Sequence, residues 1–407
     1  MTGQLVEMDR LRRALQSLVL SKLPFVLYRM PEGTPQLRVL TQGQPLSYTA
    51  LSDLDAASGF VMAPFDLNGS HPVVLWPHAA CLKASGWSDI TTCLTELLAQ
   101  PDWAELWTKV TNAPVTNASV TNAPVTNAPL LEQGTITTTG AGPYRSDFAQ
   151  FSAALHAGVF QKLVLSSYFE QESSCFYVLD NFMRACAVKP ELMVALVQAP
   201  QVGTWFVATP EVLVRTLPQS SRLHTMALAG TMPYCAENME LAAWSHKNRE
   251  EQALVTSYLT AILGEGYEAQ GPYPVKAGSV VHLRTDLTFT PKQGLSALLA
   301  ALHPTPAVCG LPKAAALDFI VEHESYQRSY YAGFLGEMQC PESGTNLFVN
   351  LRTIELLAPQ GVWGPWTFRS YVGGGLLAAS NEDSEYAEIC AKNRSVLSNL
   401  KPELWRD

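Results

Sequence analysis

The segment YVGGGLLAASNEDSEYAEICAK, residues 371–392, changes character at its middle. Three consecutive glycines, Gly373 to Gly375, follow an aromatic and a β-branched residue, so the backbone there allows a ligand close approach and its amides suit a carboxylate. Ser380, Asn381, Asp383 and Ser384 then offer caps for a helix. That helix carries Glu385, Glu388 and Lys392 at i, i+3 and i+7, hence on one side. A glycine-rich hairpin and a solvated charged helix face explain the same letters without any function. What decides between the two is whether partners for these carboxylates occur elsewhere in the chain.

One occurs in the helix read over residues 247–263. Leu254, Val255, Tyr258, Leu259 and Ile262 form its apolar stripe, and projection at about 100° per residue puts Glu251 near the stripe's centre, with Lys247 on its flank and Glu250 well away. An inward carboxylate has to be paired, protonated or metal-bound. Pairing with Lys247 at i−4 and metal ligation both remain open. Glu251 with Glu388 makes a two-carboxylate set of the kind Mg2+ uses together with substrate oxygens and water.

Two further residues sit on strands. In FQKLVLS, residues 160–166, period 2 places Lys162 on one face with Phe160 and Val164. Its amine is either at a sheet edge in water or buried with a lowered pKa, and only a buried amine serves as a base near neutrality. The wet edge is the commoner case, since lysine is seldom fully buried. In TWFVATPE, residues 204–211, a strand runs into a proline turn and leaves Glu211 at its end. Taken alone, Glu211 reads as a solvated turn residue.

The remaining text bounds the answer. The chain has 407 residues, 47% hydrophobic and only 15% charged, which excludes a disordered or fibrous protein. Its formal charge of −9, from 27 basic and 36 acidic residues, argues against nonspecific nucleic-acid binding. Eight scattered cysteines with no CxxC pair fit free thiols in a reducing compartment, so a cytoplasmic setting is expected. No leader is convincing at the N-terminus, where Glu7 and Asp9 interrupt the basic residues, and no window approaches a membrane span. Residues 4–22 read as an amphipathic helix that Pro24 ends. Residues 110–129 are a pentapeptide repeated four times, VTNAP VTNAS VTNAP VTNAP, polar and turn-rich, expected as a flexible insert. The expected division is an N-terminal region, 1–140, that contributes strands to a composite fold, and a catalytic region, 141–407.

In order between residues 160 and 392, FQKLVLS, ATPEVLVR (208–215), ALAGT (227–231), KNREEQALV (247–255), VVHLRT (280–285), ALHPTPAVCGLPKAAA (301–316), ESYQRSYYAGFLG (324–336), NLFVNLRTIEL (346–356) and the opening segment resemble the chorismate-utilising enzymes, specifically their isochorismate synthases. Members that make 4-amino-4-deoxychorismate have a lysine inside the ALAGT-like segment, where this chain has Ala229. Anthranilate-type members lack the strand lysine and have Ala-Gly-Thr where this chain has His303-Pro304-Thr305-Pro306-Ala307. Salicylate synthases share the lysine and are the nearest alternative.

The resemblance implies an α/β (α+β) fold, two stacked, largely antiparallel sheets flanked by helices around a central cleft. It implies chorismate as substrate and Mg2+ as cofactor, in a monomer needing no glutaminase subunit. By the same resemblance Lys162 is the base that activates water and Glu211 the acid that protonates the departing hydroxyl. Glu251 and Glu388 hold Mg2+, with Glu385 on a metal-bound water. Tyr331, Arg352 and Lys392 contact substrate carboxylates, while Gly230, Thr231, Gly373 and Gly375 offer donors, with His282 nearby. Asn248 and Gln252 depart from the family's usual acid and histidine, which implies weaker metal binding.

Overall fold

A computed structural model describes residues 2–100, 142–173, 176–277, 280–357, 366–398 and 400. The VTNAP repeats lie outside them. The apolar spacing near the N-terminus becomes the helix Thr2–Ser21, whose Leu11, Leu15 and Leu18 are buried. Pro24 cannot continue a helix, and the strand Phe25–Arg29 follows it directly.

The described strands form two nine-stranded sheets. The first runs in the order Gly310–Leu311, Lys162–Ser173, Trp366–Leu376, Thr353–Leu356, Gly203–Thr209, Met193–Ala199, Phe25–Arg29, Gln36–Val39 and Leu82–Ser85. The second runs Glu268–Ala277, Val280–Phe289, Leu223–Pro233, Val212–Thr216, Gly344–Val349, Phe334–Cys340, Gly59–Ala63, Val73–Pro77 and Leu46–Tyr48. The pairings that build the cleft walls are antiparallel. Strands from before residue 100 and after residue 160 share both sheets.

The sheets stack through their inner faces. Tyr28 of the first lies 4.9 Å from the Phe60 ring of the second, and its hydroxyl donates to Glu337 across the gap at 2.6 Å. The chain passes between sheets at two adjacent corners. One is Pro210–Glu211, between strands Gly203–Thr209 and Val212–Thr216. The other is Asn350–Arg352, between Gly344–Val349 and Thr353–Leu356. Hydrogen bonds from Val349 N to Glu211 O, 2.9 Å, and from Ala208 N to Arg352 O, 3.3 Å, tie the corners together.

Helices close the open end. The helix His246–Leu263 begins at Ser245, whose hydroxyl accepts from Asn248 N, and packs on strand Leu223–Pro233. The helix Glu382–Leu397 begins at Asn381, whose side chain accepts from the Asp383 and Ser384 amides, and packs on strand Trp366–Leu376. Three acids in its first turn face the positive end of the helix dipole.

Candidate active site

The glycines at 373–375 form no hairpin. They lie in a strand paired with the Lys162 strand, Gly373 opposite Ser166 and Gly375 opposite Val164. A Cβ on Gly375 would fall 2.0 Å from Glu251 Oε1 and 3.0 Å from Lys162 Cε, so this glycine leaves room for those two side chains to meet. They do: Lys162 Nζ is 3.0 Å from Glu251 Oε1. Gly373 leaves similar room for the Tyr331 hydroxyl, 2.9 Å from where its Cβ would be.

Two expectations drawn from residues taken singly are corrected here. Lys162 is fully buried, not a wet edge residue, because the short strand Gly310–Leu311 covers the sheet edge beside it. Glu211 is buried, not solvated, because its proline turn is a corner between sheets. The Lys247–Glu251 pair at i−4 does not form either. Lys162 takes Glu251, and Lys247 is ion-paired with Glu385 of the other helix.

The cleft lies between the two corners, the glycine strand and the second sheet. It is lined by Glu211, Gly230, Thr231, Glu251, His282, Tyr331, Arg352, Gly373, Gly375 and Lys392. Lys162 stands behind Glu251. Glu388 and Glu385 are not among the lining residues either: Glu388 lies 2.7 Å from Lys392, and Glu385 is paired with Lys247. Gly230 occupies a bulge at φ +73° in strand Leu223–Pro233, and a Cβ there would meet Asn248 O at 2.9 Å. Its carbonyl faces His282 Nδ1 at 3.1 Å, with Thr231 Oγ1 at 3.2 Å. Arg352 donates to His282 Nε2 at 2.7 Å, so the proton resides on Nδ1 and the ring is neutral. Burial, reinforced by Arg352 and Lys392, holds His282 well below its ordinary pKa.

Arg352 also donates to Ala277 O, 3.0 Å, and Ser395 Oγ, 3.2 Å, and no carboxylate pairs with it among the described residues. Burial lowers it to about 10. Burial pushes Glu211 up to about 8, against the pull of Lys162, Arg352 and Lys392. Burial pushes Glu251 up as well, but Lys162 more than offsets this and holds it below the ordinary carboxylate range. Lys392 donates to Gly373 O at 2.9 Å, turning its amine into the cleft.

Among the described residues no three acid, histidine or thiol groups form a ready-made metal cage. Glu251, Glu385 and Glu388 are instead each neutralised by a lysine. The donors are still hard oxygens from two helices, with Lys247 acting electrostatically on all three carboxylates. Carboxylate oxygens are the donor type a hard divalent cation takes. Gln252, at the family's histidine position, accepts from Ala229 N at 2.9 Å and donates to Ala227 O and Thr285 Oγ1 at 3.1 Å, so it docks the helix on the second sheet.

Reading residues singly passed over Tyr371, Leu228, Val164 and Val308, which also line the cleft. Tyr371 stacks on Tyr331 with centroids 5.4 Å apart. Its signal was its place two residues before Gly373.

The cleft's fold and donors define a class. Residues 80–401 match the family described as chorismate binding enzyme, and the chain belongs to that family. A salicylate biosynthesis isochorismate synthase of Pseudomonas aeruginosa is 34% identical over 197 residues, 46% of this chain and 39% of that protein. Isochorismate synthase MenF of Escherichia coli is 30% identical over 206 residues, 48% of this chain and 45% of that protein. In sequence the chain thus spans about half the length of the curated relatives it matches. The solved structure of Escherichia coli MenF, a menaquinone-specific isochorismate synthase, superposes with a TM-score of 0.67 at 19% identity, covering 95% of this chain and 91% of that one. At that identity the likeness establishes the shared fold. No described helix is long and apolar enough to cross a membrane.

Proposed function

We propose that the chain is a Mg2+-dependent isochorismate synthase. Water adds at C2 of chorismate, the two ring double bonds shift, and the C4 hydroxyl leaves as water. The observation that carries this reading is Glu211, a buried carboxyl that burial raises to about 8 and that therefore still holds its proton at pH 7. A general acid needs that property. Lys162 takes the proton from the attacking water. To do so its amine has to be free of its own extra proton as well as of the contact with Glu251.

Arg352, Lys392 and the Tyr331 hydroxyl bind the substrate's carboxylates, and Arg352 is suited to this because among the described residues no carboxylate is in contact with it. Gly230 and Thr231, with neutral His282, and Gly373 and Gly375 shape the polar floor. Glu251 and Glu388 would hold Mg2+ and Glu385 a water on it. The ion would neutralise and orient the ring carboxylate. The seven described free thiols are consistent with a cytoplasmic enzyme, and no glutaminase subunit is needed, since the nucleophile is water.

The test is the product formed from chorismate by the purified chain with Mg2+, identified by chromatography and NMR. Isochorismate supports the reading. Pyruvate release without an added lyase replaces it with a salicylate synthase, and tight binding of chorismate without turnover replaces it with a noncatalytic binding protein.

A further inference from the structure

Behind the cleft wall lies a buried ion pair that the reaction above does not use. Arg328 Nε and a terminal nitrogen bind Glu324 at 2.7 and 2.8 Å, with both side chains almost fully enclosed. The guanidinium has two further acceptors, both backbone: Val308 O at 2.7 Å and Val164 O at 2.8 Å. Val164 and Val308 themselves line the cleft. Val164 lies two residues from Lys162, and its amide donates to Cys309 O at 2.7 Å. Glu324 extends the link, because its Oε1 accepts from the amide and hydroxyl of Ser166 at 2.8 and 2.7 Å. The guanidinium is backed by the Phe65 ring at 4.3 Å.

A buried charge pair is weak evidence of stability, since well-packed apolar residues often serve as well. Two carbonyls gathered on one cation are more specific. A cleft that takes a dicarboxylate is harmed by carbonyl oxygens aimed into it, and buried carbonyls need donors. Arg328 meets both needs at once, on the Lys162 strand and on the loop that faces it.

We propose that Arg328, oriented by Glu324, is a positioning residue that draws the Val164 and Val308 carbonyls out of the cleft and so sets Lys162 and the 305–309 loop at their working separation. This inference rests on the activity proposed above. The experiment uses the full chain and three variants: Arg328→Met, Arg328→Lys and the double variant Glu324→Met with Arg328→Met. Each is measured for thermal stability, for kcat and KM with chorismate and Mg2+, and for hydrogen exchange in residues 162–166 and 305–311.

Arg328→Met alone leaves Glu324 buried without its cation and is expected to lower stability sharply. The double variant removes both charges at similar volume and is expected to recover most of that stability. Its kcat nonetheless stays roughly 10- to 100-fold low, the scale of a small misplacement of reacting groups, with KM within about threefold. Its 305–311 amides exchange at least about tenfold faster, as local opening becomes easier. Arg328→Lys keeps the charge but cannot bridge the carboxylate and both carbonyls, so its kcat falls between. A double variant with wild-type kcat and wild-type exchange overturns the proposal, as does an Arg328→Lys enzyme of full activity. Absence of turnover in the wild type would sink the activity reading instead, and the exchange data would still test Arg328.

Discussion

Glu211 and Glu251 are both buried glutamates on one cleft, yet their protonation is pushed in opposite directions. Glu251 projects from a helix and meets Lys162 at 3.0 Å. Glu211 sits at a corner between sheets where no side chain pairs with its carboxyl among the described residues. Burial acts on both; only the counter-ion differs. The contrast extends to the two regions that carry them. Along the helix wall Glu251, Glu385 and Glu388 each have a lysine. At the corners Glu211 and Arg352 have no opposite charge in contact among the described residues. The helix wall thus holds its carboxylates in ion pairs, and the corners hold buried groups without an opposite charge in contact among the described residues.

If that division is right, the largest losses follow from removing the two groups proposed to move a proton. Lys162→Ala is expected to lower kcat by about 10²- to 10⁴-fold, the contribution of a positioned base, and Glu211→Gln by a comparable factor. An unchanged rate in either, measured by isochorismate formation, removes that residue from the chemistry. Arg352→Gln comes next. Loss of a charge-assisted contact of about 1.5 to 3 kcal/mol raises KM for chorismate by roughly 10- to 100-fold and leaves kcat nearer wild type. A larger effect on kcat than on KM would move Arg352 from binding to the chemistry.

How far the sequence reveals this division depends on whether a residue's surroundings are local. The helix that carries Glu251 was legible because its apolar period of 3.6 fixes an inward face. The Asn381 cap was legible because capping needs only neighbours in the chain. Lys162 and Glu211 misled when read singly. A strand lysine looks wet until the two-residue strand at 310–311, nearly 150 residues away, is seen to cover the edge. A Pro-Glu turn looks solvated until its flanking strands are known to join different sheets. The partner of Lys162 was equally hidden, since the local pairing of Lys247 with Glu251 competes on paper with two pairs that only the tertiary structure creates. Only the ordered resemblance, which carries tertiary information implicitly, drew these residues together.

The adjacent glycines sharpen the contrast on the helix wall. A methyl group on Gly375 would overlap Glu251 Oε1, whereas one on Gly374 meets only Ile389 Cδ1 at 3.5 Å and Glu388 Oε1 at 3.8 Å, ordinary contacts. Gly375→Ala is therefore expected to force the Lys162–Glu251 pair apart and to lower stability by about 1 to 3 kcal/mol, the usual penalty of overpacking. Gly374→Ala should stay within about 0.5 kcal/mol of wild type. Denaturant melts of both compare them directly, and equal penalties would mean that the wall yields and that the pair does not depend on Gly375.

The dependence of stability on pH is the most diagnostic test of the corner. Glu211 has an ordinary value of 4.5 in the unfolded chain and about 8 in the fold. Between those values the native state holds a proton that the unfolded chain has released, so the native state binds more protons and its stability falls as pH rises. The slope from this one group is at most about 1.4 kcal/mol per pH unit, and the loss is complete once pH passes the folded value. Glutamine cannot ionise, so Glu211→Gln is expected to flatten that part of the profile, losing less stability than wild type between pH 5.5 and 8.5. The comparison is a pair of thermal melts across that range, with ligand and Mg2+ left out so that only the fold is measured. Parallel profiles would mean that Glu211 is ionised in the fold, and the carboxyl at the corner would then have no proton to give.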